Sequence, residues 1–237
     1  MTNFEHLLAL ILFVGFPVWD VYETRRLKAS SNPRRKIVTY QRILAIEWAA
    51  SLLAWMALRT RLFFIWPSAQ RDSMQRIGTS FVIGVVAAMT LGFALQIVLT
   101  RRSSKTQEKV LKAFQRLAFI LPVTRQERTW FLMVSITAGI CEEILYRGFL
   151  MRYLADNPWH LQLWIALAIA SFAFGMAHGY QGLSGIIGTA IIGGVLALVF
   201  VVSGNLWLPI ALHVATDLRV VFLLRPGELA FETSRNR

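Results

Sequence analysis

Seven ionisable side chains, Glu47, Glu142, Glu143, Arg147, His178, His213 and Asp217, stand within runs that otherwise offer charge no water. Inside hydrocarbon such groups are costly, so each is a functional candidate by default. Glu47 is five residues from Arg42, near an expected span boundary, where snorkelling or a structural hydrogen bond accounts for it. The other six form three patterns, each with the four-residue spacing that stacks side chains on one helix face. The first is Glu142-Glu143-Ile144-Leu145-Tyr146-Arg147. Adjacent helical residues point about 100° apart, so the two carboxylates are expected on different faces. Glu143 and Arg147, with the acid N-terminal, form a self-neutralising pair. Glu142 is left alone, with Ala138 and Gly139 one turn away as room for water or a substrate backbone. A desolvated carboxylate there suits a general base. The second pattern is Phe174-Gly175-Met176-Ala177-His178, with the Phe174 ring one turn from the imidazole and a break expected at Gly179. The third, His213-Val214-Ala215-Thr216-Asp217, reads as an oriented base, a metal ligand with a supporting carboxylate, or a neutral pair that ties helices together.

The elements that carry these patterns must cross a membrane. Hydrophobic residues make up 56% of the 237-residue chain and charged residues 16%, against roughly 45–50% and 25% in soluble domains. Gly78–Leu99 holds no charge, and Leu161–Leu218 holds one ionised carboxylate, Asp217. Stretches of this length and composition read as transmembrane helices. Expected spans are Phe4–Val21, Arg42–Leu58, Ile77–Leu99, Trp130–Leu150, His160–Ala177, Leu183–Val202 and Leu206–Leu224. The fold class is therefore all-α, a polytopic bundle of about seven spans. The first span is retained rather than cleaved, because Glu5 stands where a signal peptide has basic residues and no small-residue cleavage site follows.

The net charge of +12 resides between the spans. Segments 22–42 and 100–129 carry seven and eight Lys or Arg, segment 59–76 four. The positive-inside rule then puts the N-terminus outside and the C-terminus in the cytoplasm, and makes nucleic-acid binding unnecessary to explain the charge. Six of the 8 Trp (Trp19, Trp66, Trp130, Trp159, Trp164 and Trp207) fall near span ends, as an aromatic belt. Cys141 stands alone, so neither an intramolecular disulfide nor a cysteine-based zinc site can form. Between the third and fourth spans, Ser104 with Gln107 reads as a capping box. Val110, Leu111, Phe114, Leu117, Ala118 and Leu121 follow at helical spacing, with Lys105, Lys109, Lys112 and Arg116 opposite and Pro122 as the stop. This is an interfacial amphipathic helix. Thr124 with Glu127 is a second capping box, opening the fourth span.

E-E-x-x-x-R, then F-x-x-x-H, then H-x-x-x-D on successive late spans resembles the CPBP/Abi intramembrane proteases, which include the type II CAAX prenyl endopeptidases and bacteriocin-immunity relatives. The resemblance covers 129–224, an expected protease core; 1–128 would hold the N-terminal spans, basic loops and amphipathic helix, and 225–237 a tail. It implies an endopeptidase acting on a membrane-associated or prenylated (CAAX-like) peptide or protein, in a bacterial cell membrane. Glu142 would activate water beside His178, while His213 and Asp217 stabilise the oxyanion; Glu143, Arg147 and Phe174 would support them. The family's last position is often Asn, an obligate donor, whereas Asp217 donates only when protonated. That departure also admits a metal reading, with Glu142, His178 and His213 holding zinc. The compact H-E-x-x-H motif is missing, and the metal-free mechanism is the preferred expectation. A non-catalytic membrane scaffold or immunity-type protein is the alternative. Small residues on the sixth span (Gly185, Gly188, Gly193, Gly194) would permit close packing in either case.

Overall fold

The structure, a computed structural model, describes residues 3–30, 32, 34–65, 69–156 and 159–224, with 69–77 described as backbone only. Trp66, the side chains of Arg71 and Arg76, and the 225–237 tail lie outside the described residues. The described chain is an all-helical bundle. Helix α1 is Asn3–Lys28, α2 Arg35–Leu58, α3 Ala69–Arg102 and α4 Ser104–Gln115. Helix α5 is Arg125–Ala155, α6 Leu163–Met176, α7 Gly182–Ser203 and α8 Trp207–Leu223.

Every expected span coincides with a helix, but the lengths differ. Among the described residues, 5 helical segments are long and apolar enough to cross a membrane. The other two, α6 with 14 residues and α8 with 17, are shorter. At 1.5 Å per residue α6 reaches about 21 Å, well short of a hydrocarbon core about 30 Å thick. Large aliphatic side chains on the outside of the bundle, such as Leu91 at 69% and Leu183 at 73% exposed, face where lipid would lie.

Two helices widen into π turns. In α1 the π stretch Ile11–Gly15 ends two residues before Pro17, whose missing N–H and ring would otherwise break the α ladder. In α5 the α-helix runs Arg125–Glu142 and becomes π over Glu143–Leu150. No proline accounts for this second widening; it carries Glu143 and Arg147.

The amphipathic element departs from expectation at both ends. Its N-cap is Ser103, not Ser104, since the Ser103 hydroxyl accepts from the Thr106 amide at 3.3 Å. The α-helix ends at Gln115 and continues as turns to Leu121, whose carbonyls are bound from α2. Lys36 Nζ donates to the Ala118 and Leu121 carbonyls at 2.9 and 2.8 Å, and the Tyr40 hydroxyl donates to that of Ile120. Leu111, Phe114 and Leu117 pack with Leu121, Phe131, Val220 and Leu224 against the bundle end. The Thr124–Glu127 capping box forms as expected: the Glu127 amide donates to Thr124 at 3.1 Å and Glu127 Oε2 accepts from the Thr124 amide at 3.1 Å. Arg128 satisfies the open C-terminus of α8 through the Leu224 and Val221 carbonyls at 2.6 and 2.8 Å.

The helices bearing the motifs meet through glycines. A Cβ on Gly139 would lie 2.5 Å from Val214 Cγ2 and 2.8 Å from the Val214 amide nitrogen. Gly139 therefore offers no room for substrate; Val214 fills that space, and α8 rests on the backbone of α5. A Cβ on Gly193 would meet the Phe174 ring at 2.8 Å and Arg147 Nη2 at 3.2 Å. Gly188, by contrast, has open space around it and lines a cavity.

Gly139→Ala should thus cost about 1–3 kcal/mol as an overpacking change, read as a lowered thermal midpoint in detergent. Gly84→Ala, at a helix position with nothing within 4 Å, is the matched control and should hold or slightly raise the midpoint. Equal behaviour of the two variants would show that α5 and α8 do not touch here.

Candidate functional site

Two imidazoles converge on Glu142, His213 from α8 and His178 from the segment after α6. Glu142 Oε2 lies 3.5 Å from His213 Nε2 and 3.9 Å from His178 Nε2. Simple span counting puts these residues at different membrane depths. The chain resolves that conflict by breaking the helix: α6 ends at Met176, Gly179–Gln181 is a single 3₁₀ turn, and Gly182 takes φ 77° before α7 begins. His178 sits in this break, tied back by its Nδ1 to the Phe174 carbonyl at 2.8 Å. A carbonyl only accepts, so Nδ1 carries the proton and Nε2 presents its lone pair to the Glu142 carboxylate.

His213 is held from its other side. Its Nδ1 is 2.8 Å from Glu143 Oε1, and the same oxygen is 2.9 Å from Arg147 Nη1. The ion-paired carboxylate accepts, so Nδ1 of His213 donates and Nε2 again faces Glu142. The two adjacent glutamates, expected to serve separate faces, therefore approach one imidazole at its two nitrogens. Nor does the Glu143–Arg147 pair merely neutralise itself. Both side chains are buried, and Arg147 Nη2 donates onward to the Gly193 carbonyl at 3.0 Å. Asp217 Oδ2 stands 3.9 Å from His213 Nε2 and is the most open of the group.

Phe174 packs all of this from one side. Its ring meets His178 edge-on at 4.7 Å and His213 at 5.7 Å, and Arg147 lies over its face at 4.4 Å. A ring offers the guanidinium a π face without competing for its hydrogen bonds. Tyr146 meets the Phe174 ring edge-on at 5.1 Å.

The cluster opens onto a cavity of about 430 Å³. Its wall includes Glu142, His178, His213 and Asp217, and also residues of α1 and α2 that the motifs gave no reason to include, Asp20 and Glu47 among them. Glu47 does not snorkel and does not pair with Arg42. Arg42 instead binds Glu23, 3.2 Å away, together with Thr39 and Arg35. Glu47 is 8% exposed and turns inward. One clue was available: Thr39, Ile43, Ile46 and Glu47 share a helical face. Asp20 reaches the site by accepting the Tyr180 amide at 2.9 Å in the broken segment, a contact across 160 positions that no local pattern announces.

The side-chain types at the centre, two imidazoles and a carboxylate, are those zinc takes when both imidazoles are neutral. Among the described residues, however, no three His, Cys, Asp or Glu side chains form an arrangement that could hold a metal ion. The arrangement suits water better: Glu142 Oε2 is buried without a hydrogen-bond partner, and His178 Nε2 is a second acceptor 3.9 Å from it. One water can donate to both.

No curated protein and no solved structure matches the chain. It is residues 124–219, from the capping box that opens α5 to Arg219 on α8 and including every member of the cluster, that match the family model described as type II CAAX prenyl endopeptidase Rce1-like.

Proposed function

We propose that this integral membrane protein is an intramembrane endopeptidase that hydrolyses a peptide bond of a membrane-associated or prenylated, CAAX-like peptide or protein. The observation that carries the reading is the unpartnered Glu142 oxygen facing two imidazole nitrogens inside the bundle, on the stretch that matches the endopeptidase family. Glu142 takes a proton from a water that also donates to His178, and the water oxygen attacks the peptide carbonyl carbon. The carbonyl π electrons move to oxygen. The oxyanion is met by His213 in its imidazolium form, whose Nδ1–H stays on Glu143 and whose Nε2–H points into the site, and by Asp217 when its carboxyl is protonated. As the intermediate collapses, the C–N bond breaks and Glu142 delivers its proton to the leaving amine. Arg147 clamps Glu143, and through it the ring of His213.

With a farnesylated CAAX peptide in detergent or liposomes, Glu142→Gln should lower kcat by about 100- to 10,000-fold, the usual share of general base catalysis, with the thermal midpoint unchanged. Activity near that of the unaltered protein would remove Glu142 from the chemistry.

Glu143→Ala should lose activity and also about 3–5 kcal/mol of stability, because Arg147 is left as an uncompensated buried charge. The pair Glu143→Leu with Arg147→Met should restore the thermal midpoint but not the activity, since His213 still lacks its Nδ1 acceptor. Recovery of both would reduce Glu143 to a purely structural role.

Asp217→Asn separates two chemistries. As an oxyanion donor, Asn needs no proton, so the variant should keep most activity, extend it to higher pH and resist chelators. A zinc-dependent site should instead be silenced by chelation and lose about 10–100-fold on this substitution, with added zinc restoring part of it.

A further inference from the structure

The cavity wall contributed by α2 consists of Thr39, Tyr40, Ile43, Ile46 and Glu47. Two of its three polar groups are already committed: the Thr39 hydroxyl donates to Glu23 and the Tyr40 hydroxyl to the Ile120 carbonyl. Glu47 is not. Its Oε2 is buried with no hydrogen-bond partner among the described residues. Across from it on α5, Ser135 is 2% exposed, lines the same cavity and likewise has no partner for its hydroxyl.

Hydroxyls inside helices usually bond back to the carbonyl four residues earlier. Ser171 and Thr216 do so here, each at 2.8 Å, to Leu167 and Leu212. Ser135, like Ser51 and Thr100, does not, and of these three it is Ser135 that lines the cavity. Helices α2 and α5 pack with Tyr40 edge-on to Phe131 and Trp48 Nε1 donating to Thr137 at 3.2 Å. This register sets Glu47 level with residues 135–138, and Ser135, Ala138 and Glu142 follow one another on one helical face. At 1.5 Å per residue the pair lies about 6–10 Å along the axis from Glu142, the length of two or three extended residues.

An uncommitted carboxylate and an uncommitted hydroxyl, on neighbouring helices that line one cavity, are what an extended peptide needs. Inside hydrocarbon each peptide N–H and C=O must find a partner or lose several kcal/mol. We propose that Glu47 and Ser135 form a subsite for the substrate backbone, in which Glu47 accepts one peptide N–H and Ser135 donates to the neighbouring carbonyl, two or three residues from the bond that is cut. The subsite rests on the endopeptidase reading of the same cavity. It lies outside the set of residues linked by the motif patterns, and Glu47 lies outside the 124–219 match. Its effect falls on substrate binding, and Glu47 takes no part in moving the water's proton.

The test is a cycle between protein and substrate. A farnesylated CAAX peptide is prepared as a series in which single backbone amides are replaced by esters, each removing one N–H. Against the unaltered protein, the ester at one position should raise KM about three- to tenfold, the value of one hydrogen bond, with kcat little changed. Against Glu47→Leu that ester should cost nothing further, while Glu47→Gln, which keeps a carbonyl acceptor, should retain the penalty. Ser135→Ala should raise KM for every member of the series. The same series is measured as Kd on Glu142→Gln protein, so the subsite is tested even if no peptide is cut. Cleavage no faster than by Glu142→Gln would defeat the endopeptidase reading, and binding with the ester pattern would still uphold the subsite. Ester penalties that are the same in Glu47→Leu as in the unaltered protein, a loss confined to kcat, or no binding of any peptide would overturn it.

Discussion

The chain depends on one arrangement of charge: Glu143 and Arg147 paired at 2.9 Å with side chains 0% and 2% exposed, in the middle of an apolar bundle. Removing two charges from water costs several kcal/mol each, and their attraction offsets that only when the remaining hydrogen-bonding capacity is also met. Here tertiary partners meet part of it, and Glu143 Oε2 stays buried without a hydrogen-bond partner among the described residues. Glu143 takes the His213 Nδ1–H, and Arg147 takes the Gly193 carbonyl and the Phe174 face. The pair thereby joins α5, α6, α7 and α8, and any shift of one helix strands a charge. A bundle without a hydrophobic force between its helices acquires its register from polar contacts of this kind.

The close approach these contacts require comes from missing side chains. Gly139 lets the α8 backbone settle on α5, which brings His213 to both glutamates. Gly193 leaves room for the Arg147 guanidinium and for the Phe174 ring. The π widening at Glu143–Leu150 lies in the same stretch as the ion pair, and the fully buried run Glu143–Leu150 leaves that helix no solvent-facing side on which to relax. Rigidity of this sort serves a hydrolytic site, because a general base and a water must be held in place before reaction rather than recruited during it.

The N-terminal helices contribute little to the polar centre and much to the space before it. Helices α1 and α2 and the segment after α4 form the far wall of the cavity, with Lys36 and Tyr40 fastening that segment by its own carbonyls. Asp20 holds the Tyr180 amide, so the break that carries His178 is anchored to the first helix. The part of the chain with no recognisable motif thus shapes what can reach the part that has one.

Hydrocarbon excludes charge whatever the tertiary arrangement, so the membrane class, the helical fold and the short roster of out-of-place residues were legible in the sequence. The helical period is equally local, which made the Glu143–Arg147 pair, the Phe174–His178 contact and the His213–Asp217 spacing readable as i,i+4 relations, and the Thr124–Glu127 cap with them. The joining of Glu142 and Glu143 on one imidazole was not readable, because it depends on a helix 70 positions away and on the glycine that lets it approach. Nor was the inward turn of Glu47: a carboxylate near a span end has a nearby arginine as its obvious partner, and only the packed bundle shows that Arg42 is taken by Glu23. Local spacing decided which residues are stacked on each helix; contacts between helices decided which of those stacks face one another, and that facing is a property of the packed chain alone.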